Sequence, residues 1–205
     1  MPDGPAPFFD PQTIAFYEKE AESYAVRARK APAKRLALFL GRLKPGARIL
    51  ELGCGGGQDA ETMLQAGFDV LPTDGTAGLA CMAERRLGRP VAVMRFEELE
   101  AREEFDGIWA SACLLHVPAD ALSAILSRVY EALRKGGIFY ASFKSGTGGE
   151  RDSLGRYYNF PSRSRLESAC VAAAPWAEVV IEESEGGGYD GVARIWLHVL
   201  ARKDG

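Results

Sequence analysis

From Pro11 onward, apolar residues recur at helical spacing, with Ile14, Tyr17, Ala21 and Tyr24 on one face. This predicts a helix from about residue 11 to 30. A second is expected over roughly 33–43, stopped by Lys44-Pro45-Gly46. The period then changes. Short apolar runs at "ARILEL", "FDVLPTD", "VAVMRF", "EFDGIWASA" and "IFYASF" predict five strands. Helical patterns lie between them. "GQDAETMLQAG" is closed by Gly67, and "TAGLACMAERRLG" has Thr76 as N-cap and Gly88 as stop. Over 119–135, Leu122, Ile125, Leu126, Val129 and Leu133 share one face. Strands alternating with helices imply right-handed βαβ units and a mostly parallel sheet. The end of the chain differs. After a helix near 163–174, "AEVVIEE" and "ARIWLHVLAR" are joined by only "SEGGGYDGV", which suits an antiparallel hairpin. The expected fold is α/β: a doubly wound, seven-stranded sheet, mostly parallel, with an antiparallel C-terminal hairpin. Residues 1–45, a proline-bearing tail and a helical lid, are expected to pack on a 46–205 core in one domain.

Composition narrows the function classes. The 205 residues are long enough for a sizeable core, and 47% hydrophobic with 26% charged is ordinary for a soluble domain. A net charge of −3 provides no basic field for nucleic acid or an anionic membrane. No apolar run approaches the roughly 18 residues of a membrane span. "MPDGPAPFFD" lacks the basic and apolar regions of a signal peptide. Cys54, Cys81, Cys113 and Cys170 form no CxxC pair and read as reduced, buried thiols of a cytoplasmic protein. With only His116 and His198 available, no metal site is expected. A monomer or a homodimer is expected.

The stretch "ILELGCGGGQDA" (49–60) is the chemical signal. A strand, a glycine-rich turn and a helix build a nucleotide-binding corner at the sheet's carboxyl edge. The dehydrogenase fingerprint needs a third glycine where Gln58 stands, and no P-loop Gly-Lys-Ser/Thr ending follows. Glu51 sits at the mouth of the turn. Two like charges about 4 Å apart cost about 4 kcal/mol at intermediate dielectric, so a pyrophosphate would be repelled. A ligand with an ammonium group and no phosphate would be attracted, and S-adenosyl-L-methionine (SAM) is one. Asp74 ends the second strand, where a carboxylate can accept ribose hydroxyls.

With "VLPTD", "FDGIWASACLLHV" and "LRKGGIFYASF" in order, the chain resembles the class I SAM-dependent methyltransferases over roughly residues 11–202. The likeness is nearest to small stand-alone members such as the tellurite-resistance-like ones. It implies a Rossmann-like sheet of order 3-2-1-4-5-7-6, SAM as cofactor and S-adenosyl-L-homocysteine (SAH) as product. It also implies roles. Gly53, Cys54, Gly55 and Gly57 form the turn at the methionine end, with the Cys54 thiol structural. Glu51 helps orient the ammonium group, directly or through water. Asp74, with Gly75 beside it, holds the ribose. Phe96 and Glu97 border the adenine, and Ala112 offers its carbonyl to the ammonium. One departure stands out: the family often places Asp or Glu directly after the third strand, and here Arg95 is the nearest match. Either Glu97 takes over, or the adenine relies on backbone and on Phe96.

Other residues carry open alternatives. His116 is a candidate general base, or a histidine bonded to backbone at a helix start. His198 reads as a packed strand residue. Tyr17, a second candidate catalytic residue beside His116, and Tyr24 either pack or form a lid whose rings approach the sulfonium, with Arg27 toward the methionine carboxylate. Lys144, Arg151 and Arg156, with Tyr157 and Tyr158, are either solvated or receive an anionic acceptor. The expected function is methyl transfer from SAM to an unidentified small molecule by in-line displacement. The rivals are a non-catalytic SAM-binding protein and an NAD-dependent oxidoreductase, the latter opposed by Glu51 and Gln58.

Overall fold

The computed structural model describes residues 8–27, 33–189 and 191–205. The proline-bearing start of the tail and the expected helix beyond residue 27 lie outside them. The first helix is two: α1 (Pro11–Lys19) and α2 (Ala21–Val26), meeting at Glu20. Asp10 caps α1 by accepting from Thr13 N at 2.8 Å, and Pro11 takes the first helical position, where no N–H is needed. α3 (Ala33–Leu40) leads into β1 (Arg48–Glu51), α4 (Gln58–Gln65), β2 (Asp69–Asp74) and α5 (Ala77–Leu87). Gly88 stops α5 in the left-handed conformation, φ 63°, its N–H donating to Glu84 O. β3 (Ala92–Val93) is much shorter than the apolar pattern predicts. Glu98 accepts from Arg95 N at 2.7 Å and winds Phe96–Glu98 into a 3₁₀ turn that ends the strand.

β4 (Phe105–Ala110) and α6 (Leu122–Ala132) follow, and α6 begins and ends inside the predicted range. The "RKGG" segment is not only a stop: it is a bulge within β5 (Leu133–Lys144), whose pairing with β4 shifts between Phe105↔Leu133 and Gly107↔Ile138. A small hairpin, β6 (Glu150–Arg151) with β7 (Tyr157–Tyr158), comes out of the expected loop. α7 (Arg163–Ala173), β8 (Glu178–Gly187) and β9 (Ala193–Arg202) complete the described chain.

The main sheet has the order β3-β2-β1-β4-β5-β9-β8, which is 3-2-1-4-5-7-6 when only its own strands are counted. Pairs are parallel except β5–β9 and β9–β8. Strand periodicity divides the core between two faces. Phe139, Ala141 and Phe143 pack with Ile125, Leu126 and Val129 of α6. Ile138 and Tyr140 pack with Trp109, Met63 and the α3 residues Leu36 and Phe39. Trp109 is fully buried and donates from Nε1 to Asp59 at 3.0 Å. Gly107 lets α3 close on the sheet: a Cβ there would stand 2.8 Å from the Phe39 ring. Among the described residues no helix is long and apolar enough to cross a membrane. Three of the four free thiols are buried; Cys81 is exposed, contrary to expectation.

Candidate active site

The carboxyl ends of β1, β2 and β4 open into a cleft beneath α1 and α2. Its wall contains Gly53 and Gly55, Asp74 and Gly75, Phe96 and Glu97, and Ala112. Gly53 must be glycine: φ is 63°, and a Cβ would lie 2.5 Å from that of Cys113. Asp74 pins the turn, accepting from Gly55 N at 2.9 Å, Thr76 N at 3.0 Å and Thr76 Oγ1 at 2.9 Å. Burial raises its pKa, and those donors partly offset the effect. Three donors on a carboxylate with about four acceptor sites leave room for one ribose hydroxyl rather than two.

Two turn residues sit elsewhere than expected. Gly57 does not line the cleft; its φ of 80° starts α4 and brings the backbone against Ala83 of α5. Glu51 is buried below the turn, 2% exposed, and is absent from the walls of the described clefts. The Cys54 thiol packs with Ala80, Ala83 and Val91, and burial plus the nearby Glu51 and Asp74 carboxylates push it well above its usual pKa. Cys54 still borders a side niche with Gly53, Gly55, Gly56, Gln58 and Arg27. Arg27 stacks 4.0 Å from the Tyr24 ring centre and donates to its hydroxyl at 2.8 Å. Gln58, which replaces the dehydrogenase glycine, donates to Ala25 O at 3.1 Å and ties α2 to the turn. Arg95 is held by Glu97 at 3.0 Å and Glu98 at 2.9 Å.

α1 and α2 cover the cleft with Tyr17 and Tyr24, whose rings meet edge-on at 5.0 Å. Both also face a second cavity, walled by Tyr158, Tyr189, Trp196, His198, Lys144 and Arg156 among others. Tyr17, Tyr24, Ala112 and His116 are common to the two. Ala112 is in the left-handed region, φ 55°, and its N–H donates to Ser142 Oγ at 2.9 Å.

A hydrogen-bond chain crosses this shared wall. His116 Nδ1 lies 2.6 Å from Tyr157 O, a pure acceptor, so Nδ1 carries the proton and Nε2 is bare. Arg156 Nη1 donates to Tyr17 Oη at 2.9 Å, so the Tyr17 proton points to His116 Nε2, also 2.9 Å away. Burial pulls the His116 pKa down to about 4 and pushes that of Tyr17 well above 10. His198 is not merely packed: it reaches the cavity between Tyr140 Oη at 2.9 Å and Ser184 Oγ at 2.8 Å. The expected basic cluster is largely paired. Arg151 binds Asp10 at 2.7 Å and Arg156 binds Asp152 at 2.6 Å.

A family model described as a methyltransferase domain matches residues 24–165, more than half of the chain. The chain belongs to the class I SAM-dependent methyltransferase family. An uncharacterised methyltransferase of Synechocystis is 31% identical over 115 residues, 55% of this chain and 52% of that one. A ubiquinone biosynthesis O-methyltransferase of Rhizobium etli is 29% identical over 140 residues, 65% of this chain and 52% of that one. This methyltransferase chain thus spans about half the length of those curated relatives. Its fold is shared with the crystal structure of a Burkholderia thailandensis 1,6-didemethyltoxoflavin-N1-methyltransferase, which holds 1,6-didemethyltoxoflavin and SAH. That protein is 24% identical, with a TM-score of 0.69 over 98% of this chain and 94% of its own. The tellurite-resistance-like description has no counterpart among these three.

Proposed function

We propose that this protein transfers a methyl group from SAM to a small acceptor bearing an ionisable O–H or N–H. The observation that carries the reading is the wall of Tyr17, Tyr24, Ala112 and His116 shared by the glycine-turn cleft and the second cavity. A cofactor in one and an acceptor in the other meet there.

The described side chains fit SAM. Glu97 Oε2 is buried in the cleft wall with no hydrogen-bond partner, and an adenine amino group would supply one. The side niche, with Arg27, suits a carboxylate, and the rings of Tyr17 and Tyr24 suit a sulfonium. Asp74 would take a ribose hydroxyl. Glu51 would act from beneath the turn through its charge. Bound SAM supplies an electrophilic methyl group. The chain's part is to align the acceptor, to exclude water under α1 and α2, and to receive the acceptor's proton on the Tyr17–His116 pair. Of residues 1–45, α1 and α2 would then be a lid on the 46–205 core, while α3 packs into that core. Relatives named for O- and N-methylation support an acceptor that must lose a proton. The test is to incubate the protein with SAM and a panel of phenols, heteroaromatic N–H compounds and soft oxyanions, following SAH by mass spectrometry. SAH formed with an O–H or N–H compound is expected; turnover confined to the oxyanions overturns the acceptor class.

A further inference from the structure

The hairpin β6–β7 carries a buried ion pair that the methyl-transfer reading does not use. Asp152 is 4% exposed in its side chain and Arg156 1%. Asp152 Oδ2 accepts from Arg156 Nε at 3.0 Å and Nη2 at 2.6 Å, while Oδ1 accepts from the backbone of Leu154 and Arg156, both at 3.0 Å. The fork thus has two of its nitrogens fixed, and the third, Nη1, is aimed at Tyr17 Oη.

We infer that Asp152 and Arg156 are positioning residues that set the direction of the Tyr17 hydroxyl and so keep His116 Nε2 as the terminal proton acceptor of the site. This rests on the methyl-transfer reading above. Arginine has no acceptor atom, so the Arg156–Tyr17 bond runs one way only. Tyr17 has one proton, and His116 Nε2 is the bare partner within reach. Every link therefore points from Arg156 toward His116.

Simple stabilisation is a poor account of the pair. Burying two charges costs free energy that their attraction seldom exceeds, and an apolar pair of similar volume is often as stable. Anchoring the lid is a poor account too, because α1 is already tied by Asp10 to Arg151, by Thr13 Oγ1 to Tyr157 N at 2.8 Å, and by Glu18 to Gly78 N at 3.1 Å. What only a fork can do is grip a carboxylate with two nitrogens and present a third; lysine cannot.

The step balances. The acceptor's X–H pair becomes the new X–C bond, and the C–S pair stays on sulfur. The proton passes to Tyr17 Oη as the Tyr17 proton moves to His116 Nε2. One positive charge disappears from sulfur and one appears on the imidazole, so the site's total charge is constant. The imidazole then releases its proton to water.

The test needs no acceptor. The full chain is labelled with ¹⁵N-histidine; it has two histidines, and Tyr17→Phe identifies the His116 Nε2 resonance by removing its donor. Arg156→Lys and Asp152→Asn are each expected to move that resonance at least halfway toward its Tyr17→Phe position. A resonance that stays at the wild-type position in a folded sample of either variant overturns the inference, and circular dichroism establishes which samples are folded. Calorimetry with SAH on the wild type tests the other reading separately. Failure to bind SAH overturns methyl transfer, while the ring shifts still decide the role of the pair.

Discussion

At Tyr17 a single hydroxyl serves two buried neighbours, accepting from Arg156 and donating to His116. Tyr17→Phe leaves Arg156 Nη1 and His116 Nε2 without a partner, and a loss of about 1–2 kcal/mol in denaturant unfolding is expected. Once an acceptor is known, turnover should fall about a hundredfold or more, since general-base assistance is worth that much. His116 predicts a pH dependence. Burial is the main cause of its low pKa; Arg156 and Lys144 lower it further, while the Tyr157 carbonyl and Asp152 oppose. Its folded value of about 4 lies below the usual 6.5, so the unfolded chain binds more protons between those values. This contribution to stability is present above pH 6.5 and is lost as pH falls toward 4. At pH 5 the loss is on the order of 1–2 kcal/mol, and His116→Asn should flatten that part of the stability curve. Asp74→Ala should cost about 3 kcal/mol and weaken SAH binding, because it frees the Gly55 and Thr76 donors as well as removing the proposed ribose contact. Full stability with weakened binding would restrict Asp74 to the ligand. The turn itself was legible in the sequence because glycines at fixed offsets carry their own geometry, but the burial of Glu51 and the role of Gly57 against α5 were not. Asp152, Arg156 and Gln58 were not legible in these roles: their partners are set by chain crossings that no local pattern records.

At the scale of elements, hydrophobic period located every strand of the main sheet and most helices, and it failed where a side chain competes with the backbone. β3 ends early because the Glu98 carboxylate takes the Arg95 N–H. The division between α1 and α2 at Glu20 has no glycine or proline to announce it. These two helices are the expected moving part. Hydrogen exchange should be slower across residues 11–26 when SAH is bound; equal protection in both states would make them a fixed layer. Their outer latch is the Asp10–Arg151 pair. The Arg151 hydrogen bonds hold Asp10 down at about 2, against an ordinary 3.8. The unfolded chain therefore binds the extra proton between those values. The latch is at full strength above pH 3.8 and fails as pH falls through about 2. At neutral pH, Asp10→Asn should speed exchange in α1 while leaving the core strands unchanged.

For the whole molecule, ligand linkage is the broadest check. A ligand that binds only the native state adds about 2.7 kcal/mol at a hundredfold excess over its dissociation constant, so SAM and SAH should raise the melting temperature. NAD should not, and a shift with NAD alone would point to the oxidoreductase reading. The wall common to the two cavities also sets an order of events. Tyr17 and Tyr24, on α1 and α2, line both cavities, so an opening of these helices to admit an acceptor is expected to uncover the proposed cofactor cleft as well. Kinetically this makes a queue. With cofactor and acceptor placed as proposed, cofactor is expected to enter first and its spent form to leave last, so SAH should inhibit competitively against SAM and non-competitively against the acceptor.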